Sequence, residues 1–184
     1  MGALEGALRV RADDGRFVLE TVDYGQAFRL LSAGTEPEIT EAVIAYVSRP
    51  LPPVRAMSQE SLITIGERLA GHYRDLREGA GKAGPQGIVI DIPAGVPIDR
   101  LGTLDGVHTY PISTPFEYRS LPPTALQPGT ELHAFITAAD VRVRAAITPP
   151  WFGRPGGGIR FTLQQPETGL RDLVVSGRLQ RLQV

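Results

Sequence analysis

The sequence contains no cysteine. Disulfides, thiolate-held metals and a cysteine nucleophile are therefore excluded, and the redox compartment leaves no trace. Lysine is almost absent: of 19 basic residues all but Lys82 are arginine. The expectation is that coding bias in a GC-rich genome is the larger cause of that usage and anion recognition the smaller. Net charge is also lacking, at −1, so the molecule as a whole attracts neither nucleic acid nor an anionic membrane. No run of 18 apolar residues occurs, and no charged segment leads into an apolar one at the start. The expectation is a chain with no membrane segment or signal of its own. Histidines number three. His72, His108 and His133 share no repeated metal-ligand spacing, HExxH and GxSxG are missing, and no metal site or cofactor is expected.

Glycine and proline are abundant, with 21 and 16 residues. Together they make about a fifth of the chain against an average nearer an eighth, too many for a helical bundle. A hydrophobic content of 42% argues equally against disorder. What remains is a loop-rich, strand-dominated α+β protein.

Residues 16–22 and 26–31 read as strands around an Asp23-Tyr24-Gly25 hairpin turn. Thr35 and Glu38 have capping-box spacing and Pro37 fits a first turn, which predicts a helix over residues 37–47 with Ile39, Val43, Ile44 and Val47 on one side. Ser58 caps a second helix, residues 59–78, along which Leu62, Ile65, Leu69, Tyr73 and Leu76 recur at spacings of three and four. Residues 79–87 hold four glycines and are the best boundary in the chain. The domains expected are a small ββα-plus-helix module at 1–82 and a strand-rich unit at 83–184. In the latter, residues 88–92, an extended piece through 98, 131–137, 141–147, 159–163 and 177–182 read as strands. A short helix over 167–175, with Pro166 near its start, precedes the last of them.

His72 reads as a surface residue, and His133, inside a strand pattern, as a hydrogen-bonded interior residue before a ligand. The run Gly153-Arg154-Pro155-Gly156-Gly157-Gly158 lacks a Walker signature and leads into a strand, so it reads as a tight turn unless its neighbours say otherwise. Those neighbours are Trp151 and Phe152 before it and two upstream arginines, Arg100 and Arg119. Two guanidiniums can clamp a diphosphate bidentately. From residue types alone, pairing with Asp99, Asp105 or Glu117 is the simpler reading of both.

The blocks IDRLG, DGVHTY, TPFEYRSLPP, PWFGRPGGGIRF and LRDLVVSGRLQRL, in this order from about residue 86 onward, resemble the tuberculosis necrotizing toxin (TNT) domain family of NAD+ glycohydrolases. The resemblance implies a compact α+β domain that cleaves the nicotinamide–ribose bond of NAD+, often of NADP+ too, with no metal in the chemical step. It implies an immunity protein as companion, and export by fusion or partner. It makes Arg100 and Arg119 the pyrophosphate-holding pair, His133 the histidine of the middle strand, and Trp151 and Phe152 the aromatic turn at the pocket. Arg154 and Arg160 stand where the family pattern has Gln, the second being the catalytic one, and Leu101 stands where it has a stacking aromatic.

With Arg100, His133 and Arg160 at catalytic positions and Arg100, Leu101, Arg119, Trp151, Phe152 and Arg154 at binding positions, the expectation is a dinucleotide pocket with weak or no hydrolysis. The alternatives are an active NAD+/NADP+ glycohydrolase toxin domain and a non-catalytic protein-interaction module. Either the helix over 59–78 docks on the second unit, or it plugs its groove as an autoinhibitor, or it dimerises.

Overall fold

A computed structural model describes residues 6–23, 25–164 and 168–183. Tyr24 of the expected hairpin turn, and Pro166 and Glu167 at the expected start of the last helix, lie outside them.

The chain begins with an antiparallel sheet of three strands, β1 (Leu8–Asp13), β2 (Arg16–Asp23) and β3 (Gln26–Ala33), in that spatial order. Only the last two were expected. The first is an edge strand whose residues are largely exposed, and Arg9 and Arg11 in it each donate from Nε to the nearly buried Glu20 carboxylate at 3.0 Å. Its sequence, LRVRAD, alternates apolar and charged residues in the usual strand pattern, but neither face is buried, and cross-strand charge pairs add to its backbone pairing with β2.

Helix α1 (Glu36–Ser48) opens with the expected capping box between Thr35 and Glu38. Its inward face is Ile39 and Tyr46, which close a small core with Leu19 and Leu30, flanked by Val43. Ile44 and Val47, expected on that face, are exposed. At 100° per residue Tyr46 returns to within about 20° of Ile39, whereas Ile44 sits about 140° away. The aromatic takes the face.

The larger sheet has eight strands in the order β4-β11-β8-β6-β7-β10-β9-β5. They are β4 (Arg55–Ala56), β5 (Ile88–Ile92), β6 (Pro97–Leu101), β7 (His108–Pro111), β8 (Leu132–Thr137), β9 (Val141–Ile147), β10 (Ile159–Leu163) and β11 (Leu179–Gln183). Neighbours are antiparallel except for β4 with β11. Strict alternation on β9 and β10 sends Val141, Val143, Ala145, Ile159, Phe161 and Leu163 into a core completed by Leu170, Leu173 and Val174 of α3 (Leu170–Val175). This α+β architecture matches the sequence expectation.

Helix α2 (Gln59–Lys82) crosses this sheet, with Leu76 in the main core, Leu69 and Tyr73 against it, and Leu62 with Ala134 and Leu182 in a satellite cluster. It runs four residues past the expected end, through Gly79 and Gly81. Ala80 between them is fully buried, and tertiary packing outweighs the weak helix propensity of glycine. The expected linker is thus a helix end followed by a 3-10 turn, Gly84–Gln86. Among the described residues, no helix is long and apolar enough to cross a membrane.

Two substitutions test this account. Gly81 is exposed and a Cβ there meets no atom within 4 Å, so Gly81→Ala is expected to stabilise the chain by up to about 1 kcal/mol. Ala80→Leu overfills a closed site and is expected to cost about 1–3 kcal/mol. Urea denaturation of the two variants reads both signs.

Candidate functional site

Strand β6 delivers two charged residues, Asp99 and Arg100, into the interior at its end. Arg100 lies opposite His133 of β8 in the ladder, and its side chain folds back along the following loop. Nε donates to the Thr103 carbonyl at 2.6 Å and Nη1 to the His108 carbonyl at 3.0 Å. The guanidinium then grips the Asp23 carboxylate with both forks, Nη1 to Oδ2 at 2.8 Å and Nη2 to Oδ1 at 3.1 Å. Asp23 is the last residue of β2, in the other sheet. Its Oδ2 also accepts from the backbone N–H groups of Val107 at 2.9 Å and His108 at 3.1 Å. Residue 106 has to be glycine for this to fit, because a Cβ there would lie 2.0 Å from Arg100 Cζ.

The second expected arginine is closed in the same way. Arg119 donates to Asp99 from Nη1 at 2.6 Å and Nη2 at 2.8 Å, and from Nε to the Thr114 carbonyl at 2.7 Å. Its Cζ lies 4.9 Å from the centre of the Tyr110 ring. The pairing of Arg119 with Asp99 was among those read from residue types; Asp23 as the partner of Arg100 was not. Both guanidiniums are buried, about 3% exposed, and neither lies in the wall of the cleft at His133.

His108 of β7 lies between the charges. Its ring is buried, Nδ1 is 2.9 Å from Thr162 Oγ1, and Phe28 of β3 meets it edge-on at 5.3 Å between centroids. Burial, with Arg160 and Arg100 acting in the same direction against Asp23, pushes the imidazole down to about 3. It is neutral at pH 7. Burial would raise the Asp23 carboxyl, but the Arg100 charge leads a set of interactions that hold it below the ordinary carboxylate range. For Asp99 burial prevails over the pull of Arg119, and that carboxyl is raised.

The remaining expected residues divide between two places. Trp151 and Phe152 stack at 4.3 Å on an exposed turn closed by mutual hydrogen bonds between the backbones of Trp151 and Arg154. Arg154 lies over Phe116 at 4.2 Å. The loop behind them docks on the 3-10 turn Phe116–Tyr118 through Gly156 N–H to Glu117 and Gly158 N–H to Tyr118. Arg160 is on β10, opposite Ala146, with its charge acting on His108. His133 alone opens onto a cleft of about 530 Å³, whose wall is residues 102–105 and 127–131 with Arg171 and Arg181. Its Nε2 is 3.4 Å from a Glu131 carboxylate oxygen. Burial, reinforced by Arg100 and Arg181, lowers its pKa against the pull of Glu131, so the ring is neutral at pH 7. Leu101 ends β6 at the rim, half-buried. The structure thus gathers Arg100, Arg160 and His108 into one group and sets His133 in the adjoining cleft. Trp151, Phe152 and Arg154 form a separate turn. No group of three His, Asp or Glu side chains suited to a metal is found among the described residues.

The family model described as tuberculosis necrotizing toxin (TNT) matches residues 91–182, half of the chain. The chain belongs to the TNT family. It is also similar to the conidial surface nicotinamide adenine dinucleotide glycohydrolase nadA of Aspergillus fumigatus, with 31% identity over 96 residues. That stretch is 50% of this chain and 40% of the fungal protein, so the chain spans well under half of the relative's length. Two solved structures are more distant. One is tuberculosis necrotizing toxin complexed with its immunity factor IFT, at 20% identity and a TM-score of 0.43, covering 53% of this chain and 57% of that one. The other is Tse6 in complex with Tsi6, at 18% identity and a TM-score of 0.35, covering 61% and 97%.

The matched span of this TNT domain begins one strand position before Ile92 and contains every expected site residue, yet the anion that closes its Arg100 comes from outside it. Asp23 carried no sequence signal beyond that of an ordinary acidic residue before a hairpin glycine. His108 stood in a matched block but at no spacing that marks a ligand.

Two tests follow from this geometry. Gly106→Ala is expected to destabilise the protein by about 3 kcal/mol, the upper end of overpacking costs, measured by thermal or urea unfolding. The second concerns acid. His108 is held down at about 3 when folded against about 6.5 unfolded, so between these values the unfolded chain binds the extra proton and stability falls as pH falls. Asp23, also lowered, adds a loss in the same direction below its unfolded value of about 3.9. From pH 6.5 to 5 the His108 contribution is about 2 kcal/mol. The melting temperature should drop over that interval, and less steeply in His108→Gln.

Proposed function

We propose that this TNT domain binds a nicotinamide dinucleotide in the cleft beside His133 and hydrolyses it weakly or not at all. The observation that carries the reading is the position of Arg160. By the motif resemblance it stands where the family has its catalytic glutamine, and with Arg100 it loads positive charge onto the buried imidazole of His108. Loss of nicotinamide passes through a ribosyl oxocarbenium ion, which neutral or negative groups stabilise. A guanidinium standing about 5 Å from that developing charge would cost roughly 3 kcal/mol at an effective dielectric near 20, about two decades of rate. The missing amide adds to the loss.

Binding is supported by the cleft itself. Its volume of about 530 Å³ falls within the ordinary range for small-molecule sites, roughly 300–1,000 Å³. Arg181 in its wall offers a cation to phosphate oxygens, beside Arg171, which is paired with Asp105, and the 2′-phosphate of NADP+ would take a further one. The nicotinamide-cleaving activity named for the Aspergillus relative gives the ligand class.

The test is chromatographic measurement of nicotinamide released from NAD+ and NADP+ by the whole chain and by Arg160→Gln. Release by the unaltered chain at the level of a heat-inactivated control, with at least a tenfold rise in the variant, is the expected result. Saturable, rapid release by the unaltered chain overturns the reading.

A further inference from the structure

The environment of Asp23 is that of a bound anion rather than of an ordinary structural carboxylate. Four N–H donors converge on it at 2.8–3.1 Å, two from the fork of one arginine and two from the consecutive backbone amides of Val107 and His108. A guanidinium fork with adjacent main-chain amides is the donor set that receives a phosphoryl group. All four donors belong to the TNT domain, and the acceptor does not. It is brought by β2, in a sheet whose strands pair only with one another and whose core, Leu19, Leu30, Ile39 and Tyr46, is its own.

The unit also packs on the TNT domain: Phe28 lies against the main core, the Tyr46 ring lies beside Asp105 with the Arg171 guanidinium 5.7 Å from its centre, and Leu30 adjoins Gly169. Polar ties add to this packing. Thr103 Oγ1 donates to the Gly6 carbonyl at 3.0 Å, and Arg49 at the end of α1 pairs with Asp172 at 2.7 Å with both side chains partly in solvent. Phe28 contributes its edge to His108. Withdrawing Asp23 alone would strand a buried guanidinium, which is strongly unfavourable. Exchanging it for another anion keeps the charge pairing and the hydrogen bonds. The seat also borders the cleft: Gly102, in the cleft wall, has its Cβ direction 3.6 Å from Arg100 Nη2.

We propose that the unit formed by β1, β2, β3 and α1 is a built-in competitor, in which the Asp23 carboxylate occupies an oxyanion seat made by Arg100 and the Val107 and His108 amides, so that a phosphoryl-bearing ligand enters only by displacing Asp23. The inference takes its ligand class from the dinucleotide reading above, and it assigns the control of that site to Asp23 rather than to α2.

The experiment uses the full chain with Asp23→Asn and Asp23→Ala, and inorganic pyrophosphate as the probe, by calorimetry and thermal melting at constant ionic strength. Pyrophosphate is expected to bind the variants at least tenfold more tightly than the unaltered chain and to raise their melting temperatures where sodium chloride does not. Equal affinity in all three proteins overturns the proposal. Should Asp23→Ala fold only with an anion present, recovery by pyrophosphate but not chloride supports the seat, and no recovery by either overturns it. A parallel NAD+ titration separates the two readings. Tighter pyrophosphate binding in the variants, with NAD+ binding to none of the three proteins, keeps the seat and defeats the dinucleotide. NAD+ binding that is equally strong in the unaltered chain and in Asp23→Asn defeats the competition by Asp23 and leaves the dinucleotide reading standing.

Discussion

A guanidinium removed from water must be given an anion, and Arg100 is the place where this requirement organises the molecule. Its five N–H groups reach across the loop that follows β6, bind two carbonyls of that loop and its successor strand, and take their countercharge from a residue 77 positions earlier. Gly106, the turn over residues 102–105 and the entry to β7 are all shaped by that guanidinium. Through Asp23 it also joins two sheets that share no strand. The second buried pair, Arg119 with Asp99, does comparable work one residue along β6, tying the strand to the loop that supports the aromatic turn.

The parts of this architecture that could be read from the sequence are those with strong local signals. The capping box at Thr35 and Glu38, the alternation along β9 and β10 and the three-four spacing in α2 each reflect one element burying one face. The alternation of β1 was equally legible, whereas β4 has only two residues and β7 only four, ending at Pro111. The glycines at 79 and 81 suggested a break that the burial of Ala80 overrides. At the site, the strand pattern over 131–137 put His133 on a strand, as β8 has it, and the residue types suggested Asp99 for Arg119. The partner of Arg100 was illegible, because a buried ion pair between distant segments depends on how two sheets dock, and no local pattern encodes that.

The arginine-rich character of the chain acquires a physical meaning from these positions. Arg100 and Arg119 are neutralised inside, Arg171 pairs with Asp105 at the cleft, and Arg154 rests on an aromatic face. Each uses the planar fork or flat face of the guanidinium, which lysine lacks. Arg160 differs in kind, since its charge falls on an imidazole that burial already keeps neutral. Arg100 and Arg160 lie on β6 and β10, with β7 and its His108 between them.

Helix α2 joins β4 at one edge of the large sheet directly to β5 at the other. Its 24 residues reach about 36 Å, close to the width of eight strands set about 4.8 Å apart. The helix is therefore a ruler for the sheet: its length fixes how far apart the two margins stand. Insertions that widen the sheet, or a shortened helix, would leave one margin without its strand, whereas the loops at the strand ends can lengthen without that cost.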